Sequence, residues 1–121
     1  MILDFHTHIF PPEVIAQREA YLAREPWFGR LYAGPRARMA TAEQLVAAMD
    51  AAGVQRAVTF GFGWCDPGLC RLSNDYVLAA VQRYPERLIG FAVVNPAAPG
   101  AEAELARLAA GGACRGVGEL M

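Results

Sequence analysis

The chain contains no lysine; all 11 of its basic residues are arginine. It can therefore supply neither a carbamylated lysine nor a Schiff base, and any bridging anion at a metal site must be a carboxylate. Charge of one sign is not in excess either, the formal net charge being -1. A phosphate-binding surface needs a cationic excess or a clustered basic face, so no nucleic-acid or membrane-surface partner is expected. Long apolar runs are also missing. The stretch from Leu88 to Val94 is far short of the roughly 20 residues that a membrane-spanning helix requires. Cysteine is scarce and odd in number, with Cys65, Cys70 and Cys114 forming no visible framework and no secretory leader ahead of Met1. A reducing, cytoplasmic setting is the expectation. Histidine occurs only at His6 and His8.

What is present suits one domain with a real core, since 55% of the 121 residues are apolar. Ile2 to Phe5 is a short β-type run that delivers the chain into His6-Thr7-His8. Pro11-Pro12-Glu13 opens a helix that Val14 to Arg24 continue and Pro26 stops. From Glu25 to Ala40 the chain is irregular and mixes Trp27, Phe28 and Tyr32 with Arg30, Arg36 and Arg38, so residues 9–40 read as a lid-like insertion. Thr41-Ala42-Glu43-Gln44 has capping-box spacing, Leu45, Ala48, Met49 and Ala52 recur at helical intervals, and Gly53 is a natural stop. Arg56 to Phe62 alternates as a second strand. Ser73 is placed to cap a helix from Asn74 to Tyr84, Leu88 to Val94 reads as a third strand, Ala101 to Ala110 as a helix, and Arg115 to Leu120 as a fourth strand.

Strands that alternate with helices over connections this long predict parallel α/β architecture. Two arrangements share the pattern: an open doubly wound sheet, and half of a closed (β/α)8 barrel of about 250 residues. Chemistry has to choose between them.

His6 and His8 are the strongest chemical signal. Side chains two apart on a strand share a face at about 6.6 Å, so both imidazoles can converge on one ion. The plain alternative is two partly exposed histidines that happen to alternate. Two ligands do not fill the roughly four-coordinate shell of zinc. Glu119 is the candidate third ligand, because Arg115, Val117 and Glu119 alternate on strand four and a glutamate fits a strand interior poorly without a partner. It can equally be a solvated residue near a chain end. Cys65 and Cys70 offer no CxxC pair and little case for a second site.

Asp4-Phe5-His6-Thr7-His8 with Pro11, then Ser73-Asn74-Asp75-Tyr76, then Tyr84-Pro85-Glu86-Arg87-Leu88-Ile89-Gly90-Phe91 running to Asn95-Pro96, resembles the amidohydrolase-related branch of the amidohydrolase superfamily, the branch that includes aminocarboxymuconate semialdehyde decarboxylase. The likeness covers nearly the whole chain and implies the N-terminal half, about four β/α units, of a TIM-like (β/α)8 barrel. It implies that His6 and His8 bind a divalent metal, Zn2+ in the first place and Mn2+ or Fe2+ otherwise, and that Glu119 in Gly116-Val117-Gly118-Glu119-Leu120 occupies the bridging position at the end of strand four. Members carry further histidines and a late aspartate that this sequence does not contain. The resemblance therefore places the general acid or base beyond residue 121, with residues 1–121 a single partial domain that by itself catalyses little.

The implied activity is hydrolysis of a small, carboxylated cyclic or aromatic substrate by a metal-activated water, with Arg30, Arg36 and Trp27 as substrate-binding candidates on the lid. An ordinary solvated loop is the competing account of those residues. Alternatives to hydrolysis are non-oxidative decarboxylation, a phosphoesterase with a His-x-His barrel site, and a non-catalytic half-barrel assembly module. Open outer strands would favour a homo-oligomer.

Overall fold

The structure, a computed structural model, describes residues 1–120. Four strands form one sheet in the order β1 (Leu3–His8), β2 (Arg56–Phe60), β3 (Leu88–Ala92) and β4 (Cys114–Val117). Every neighbouring pair is parallel. Each new strand is laid beside the last on the same side, whereas a doubly wound sheet reverses direction part-way, so the order selects the barrel-type progression. All four carboxyl ends lie along one edge of the sheet.

The helix that follows β2's loop, α5 (Pro67–Arg83), is longer than the sequence suggests. Its cap is Asp66, whose carboxylate accepts from the Gly68 and Leu69 amides at 2.7 and 3.2 Å, with Pro67 in the first turn. Ser73, expected at the cap, is instead buried inside the helix and accepts a hydrogen bond from the Trp64 indole at 2.8 Å. The helix before β2, α4 (Ala42–Ala52), forms as expected, with both capping-box bonds between Thr41 and Gln44 and Gly53 in the left-handed region. The helix α6 (Ala101–Gly111) precedes β4.

The first connection departs most from expectation. The single helix expected up to Arg24 is broken at Gln17 into α1 (Pro12–Ala16) and α2 (Arg18–Arg24). The supposedly irregular segment after it begins with a third helix, α3 (Pro26–Tyr32). Pro26 ends one helix and starts the next, because its fixed φ suits a first turn as well as it blocks an interior. At Gly29 a Cβ would collide with the Leu22 carbonyl, so glycine sets the close approach of α2 and α3.

Two cores result. Between the sheet and its helices, Ala42, Met49, Ala57, Val77, Ala80 and Leu88 form a mostly aliphatic layer together with Ile9. Over the carboxyl edge of the sheet, Phe10, Tyr21, Phe28, Phe62 and Trp64 form an aromatic cap core with Val58 and Phe60 of β2. Buried Glu25 fastens this cap, its carboxylate accepting from the amides of Cys65 and Asp66 at 2.7 and 3.2 Å. Asn74 of α5 fastens the other side, donating to the Val93 carbonyl at 2.9 Å and accepting from the Val93 amide at 2.8 Å. The two outer strands carry exposed apolar side chains, Ile2 and Phe5 beside β1 and Val117 and Leu120 beside β4.

Among the described residues, no helix is long and apolar enough to cross a membrane.

Candidate metal centre

β1 extends beyond Phe5 to His8, so both histidines belong to the strand's carboxyl end. His8 stands in register with Phe60. The Phe60 ring is a platform for both imidazoles, with centroids 5.0 Å from His6 and 4.7 Å from His8, each edge-on. His8 Nδ1 lies 2.9 Å from the Gly61 carbonyl. A carbonyl can only accept, so this nitrogen carries the proton and the lone pair of Nε2 is left for a ligand. Glycine at 61 is needed for that placement, since a Cβ there would stand 2.5 Å from the Ser73 Cβ.

His6 Nε2 and His8 Nε2 are 3.1 Å apart, and His6 Nε2 is 3.1 Å from Glu119 Oε2. One ligand atom from each of His6, His8 and Glu119 lies within 4.8 Å of the others. Glu119 arrives here differently from the sequence reading. β4 ends at Val117, so strand alternation does not orient Glu119; the chain is tied after the strand by the Gly118 amide bonding to the Ala92 carbonyl at 2.9 Å, and the glutamate then reaches across to His6. The carboxylate is 39% exposed and His6 58%, so the cluster is open to solutes on one side.

Burial lowers the pKa of His8, with the charge of His6 acting in the same direction, while the Gly61 carbonyl and the Glu119 carboxylate oppose. The net effect keeps the ring neutral near neutral pH, the form that ligates. Two neutral imidazoles and one carboxylate are a donor set for a divalent first-row ion. The 3.1 Å nitrogen–nitrogen separation fits two ligands on one ion, being less than twice the usual metal–nitrogen distance of about 2.0–2.1 Å. The residues present fit the metal.

The other sequence-derived candidates are not brought to this cluster. Trp27 and Arg30 pair with each other on the outer face of α3, the guanidinium 5.7 Å from the ring centroid, and Arg36 is exposed. Among the described residues, none of these three makes a hydrogen bond or ion pair with His6, His8 or Glu119. Phe28 and Tyr32, which the sequence groups with them as lid aromatics, turn inward to the cap core. Cys65 and Cys70 stay apart from the cluster, and burial pushes the Cys70 thiol up to about 11, which leaves it protonated.

A family model described as Amidohydrolase matches residues 3–118. The chain belongs to the amidohydrolase family. Solved structures agree on the fold. The match to 5-carboxyvanillate decarboxylase from Novosphingobium aromaticivorans, complexed with manganese and 4-hydroxy-3-methoxy-5-nitrobenzoic acid, has a TM-score of 0.76 at 23% identity, covering 97% of this chain and 40% of that one. A probable 2-pyrone-4,6-dicarboxylic acid hydrolase from Acinetobacter baumannii, with citric acid bound, matches at TM-score 0.55 and 21% identity over 96% of this chain and 36% of that one. 4-Oxalomesaconate hydratase from Rhodopseudomonas palustris matches at 0.59 and 19%, covering 97% and 40% respectively. No curated protein matches the chain. The amidohydrolase chain thus spans about two fifths of the length of these structures and has the architecture of half a (β/α)8 barrel.

Proposed function

We propose that the protein is the metal-binding half of a metal-dependent hydrolase acting on a small carboxylated cyclic or aromatic substrate. The observation that carries this reading is the convergence of His6, His8 and Glu119 on one point at the carboxyl edge of a parallel barrel-type sheet. In such folds that edge is where active sites are built. His6 and His8 would hold a divalent cation, with Glu119 as third or bridging ligand. The donors suit zinc, and manganese accompanies the decarboxylase neighbour. When bound, the cation lowers the pKa of a coordinated water toward about 7 and polarises the substrate's reacting group.

The protein's own groups prepare that chemistry. The Gly61 carbonyl fixes the tautomer and direction of His8, and Phe60 holds both rings edge-on, so the ligands need no rearrangement to bind. Glu119 would offset one charge of a divalent ion, and the net positive site that remained would favour an anionic substrate. The general acid or base is to be sought outside residues 1–121.

Non-oxidative decarboxylation is the second reading, supported by the fold likeness to the carboxyvanillate enzyme. One experiment separates the two. The complete protein, loaded with zinc or manganese, is offered a carboxylated lactone and a hydroxylated aromatic carboxylic acid. Ring opening of the lactone supports hydrolysis, release of carbon dioxide from the aromatic acid supports decarboxylation, and turnover of neither by metal-loaded protein contradicts both.

A further inference from the structure

The amino edge of the sheet, opposite the candidate metal centre, holds two arginines whose charges are not used within the fold. Arg56 opens β2 and is half-buried. Its Nε is enclosed by protein and, among the described residues, has no hydrogen-bond partner. By contrast Arg87, just before β3, bonds the Val54 and Gln55 carbonyls and pairs with Asp50 at 2.8 Å. A guanidinium carries a charge and donors only, so an acceptor is the one kind of group that can satisfy Arg56, and leaving a charged donor enclosed and unpaired is costly. Arg115 of β4 stands on the other side of β3. Gly90 pairs with Cys114 and Phe91 with Gly116, which leaves Arg115 as the extra residue of a bulge. Such a residue is turned out of the strand's alternation and its side chain re-aimed.

We propose that Arg56 and Arg115 form a binding site for a small oxyanion. Both line one cavity of about 190 Å³ between the end of α5 and the starts of β3 and β4. Its walls are otherwise apolar, Val81, Pro85, Leu88 and Ala113 among them, and no carboxylate lines it. Among the described residues, neither arginine forms an ion pair. Glu86 borders an adjoining groove with Arg56 but is exposed and is not paired with it. Strands two places apart in a sheet are separated by roughly 10 Å, a gap that two arginine side chains can close on one ion from either side. The volume is below the roughly 300 Å³ at which pockets begin to take drug-sized ligands, so the occupant is compact. Apolar walls strengthen its attraction to the two guanidinium groups, whose planar forks suit phosphate and carboxylate oxygens. The site lies away from His6, His8 and Glu119 and does not depend on the metal reading.

The test titrates inorganic phosphate into the protein with a chelator present, which keeps a bound metal from offering a second anion site, and follows binding by calorimetry and by Tm. The wild type should bind with a Kd of about 1 mM or tighter, and its Tm should rise with phosphate concentration. Arg56→Gln, and Arg115→Gln at its exposed position, should each bind at least about tenfold more weakly, the loss of one charge-assisted hydrogen bond being worth about that factor. Arg38→Gln removes the same charge from another exposed arginine and should bind phosphate as the wild type does. Equal binding by the wild type and a folded Arg115→Gln variant, an equal loss in Arg38→Gln, or no binding by the wild type overturns the site. None of these outcomes bears on the metal centre, which is tested by metal content.

Discussion

The two cores of the molecule are built from different side chains and do different work. The layer between sheet and helices is mostly aliphatic, and its residues recur at strand and helix intervals. The cap over the carboxyl edge is largely aromatic, drawn from the segment through α1 to α3, which follows no simple period, and from the alternating Val58, Phe60, Phe62 and Trp64 of β2 and the stretch after it. Phe60, a member of the cap core, touches both imidazoles of the candidate site. Its ring stands edge-on to each of them, and the Gly61 carbonyl that follows Phe60 anchors the His8 ring. Aliphatic packing holds the sheet to its helices, and aromatic packing around Phe60 supports the candidate ligands. A mutation in one core should affect stability alone, and in the other stability and metal affinity together.

The largest effect is expected from Trp64→Ala. Trp64 is buried, contacts Phe10, Tyr21, Phe28 and Phe62, and donates its indole N–H to Ser73. Its loss should cost about 3–5 kcal/mol of stability, read by urea unfolding. It should also weaken divalent-metal binding by about tenfold, as changes to supporting groups commonly do. Unaltered metal affinity would mean that the cap does not aim the ligands.

Leu88→Ala is the counterpart in the sheet–helix core. Leu88 opens β3 at the amino edge of the sheet, away from the histidines, and is buried. Truncation should cost about 2–5 kcal/mol. Metal affinity, measured on the folded fraction, should stay within roughly twofold, as for well-separated sites. A parallel loss of metal binding would erase the distinction between the cores.

The smallest effect concerns pH. Glu104 of α6 receives hydrogen bonds from Arg107 at 2.7 and 2.8 Å and from Asn74 at 3.1 Å. The Arg107 guanidinium above all, with help from Asn74 and against burial, holds its carboxyl below the ordinary value of 4.5. A carboxylate with a depressed folded pKa adds stability above its unfolded pKa and loses it as pH falls through the folded one. Melting curves should thus drop below pH 4.5, and Glu104→Gln should flatten part of that drop without moving metal affinity. An unchanged acid profile in the variant would show that this network does not couple α6 to the sheet.

The sheet and its helices were legible in the sequence because burial on one face imposes a period, as in Leu45, Met49 and the alternation of β2. Thr41 and Gly53 marked the ends of α4 because their bonding there is local. Ser73 misled because a serine before an apolar helical face looks like a cap, while the Asp66-Pro67 pair seven residues earlier does that job. The segment from Glu25 to Ala40 was misread as irregular throughout because Pro26 signals a stop as strongly as a start. His6 and His8 stood out by residue type and spacing. Glu119 comes within reach of His6 by another route than the strand alternation expected for it, since its position depends on the turn after Val117 and on Gly118 bonding to Ala92, contacts that no local pattern encodes.

The central claim is that His6 and His8, with Glu119, hold one divalent cation. The direct measurement is zinc, manganese and iron content and affinity for the protein and for its His6→Ala/His8→Ala variant, with circular dichroism as the check on folding. The account predicts near-stoichiometric metal in the wild type and loss of it in a variant whose spectrum is unchanged. Equal metal occupancy in a folded double variant would contradict it.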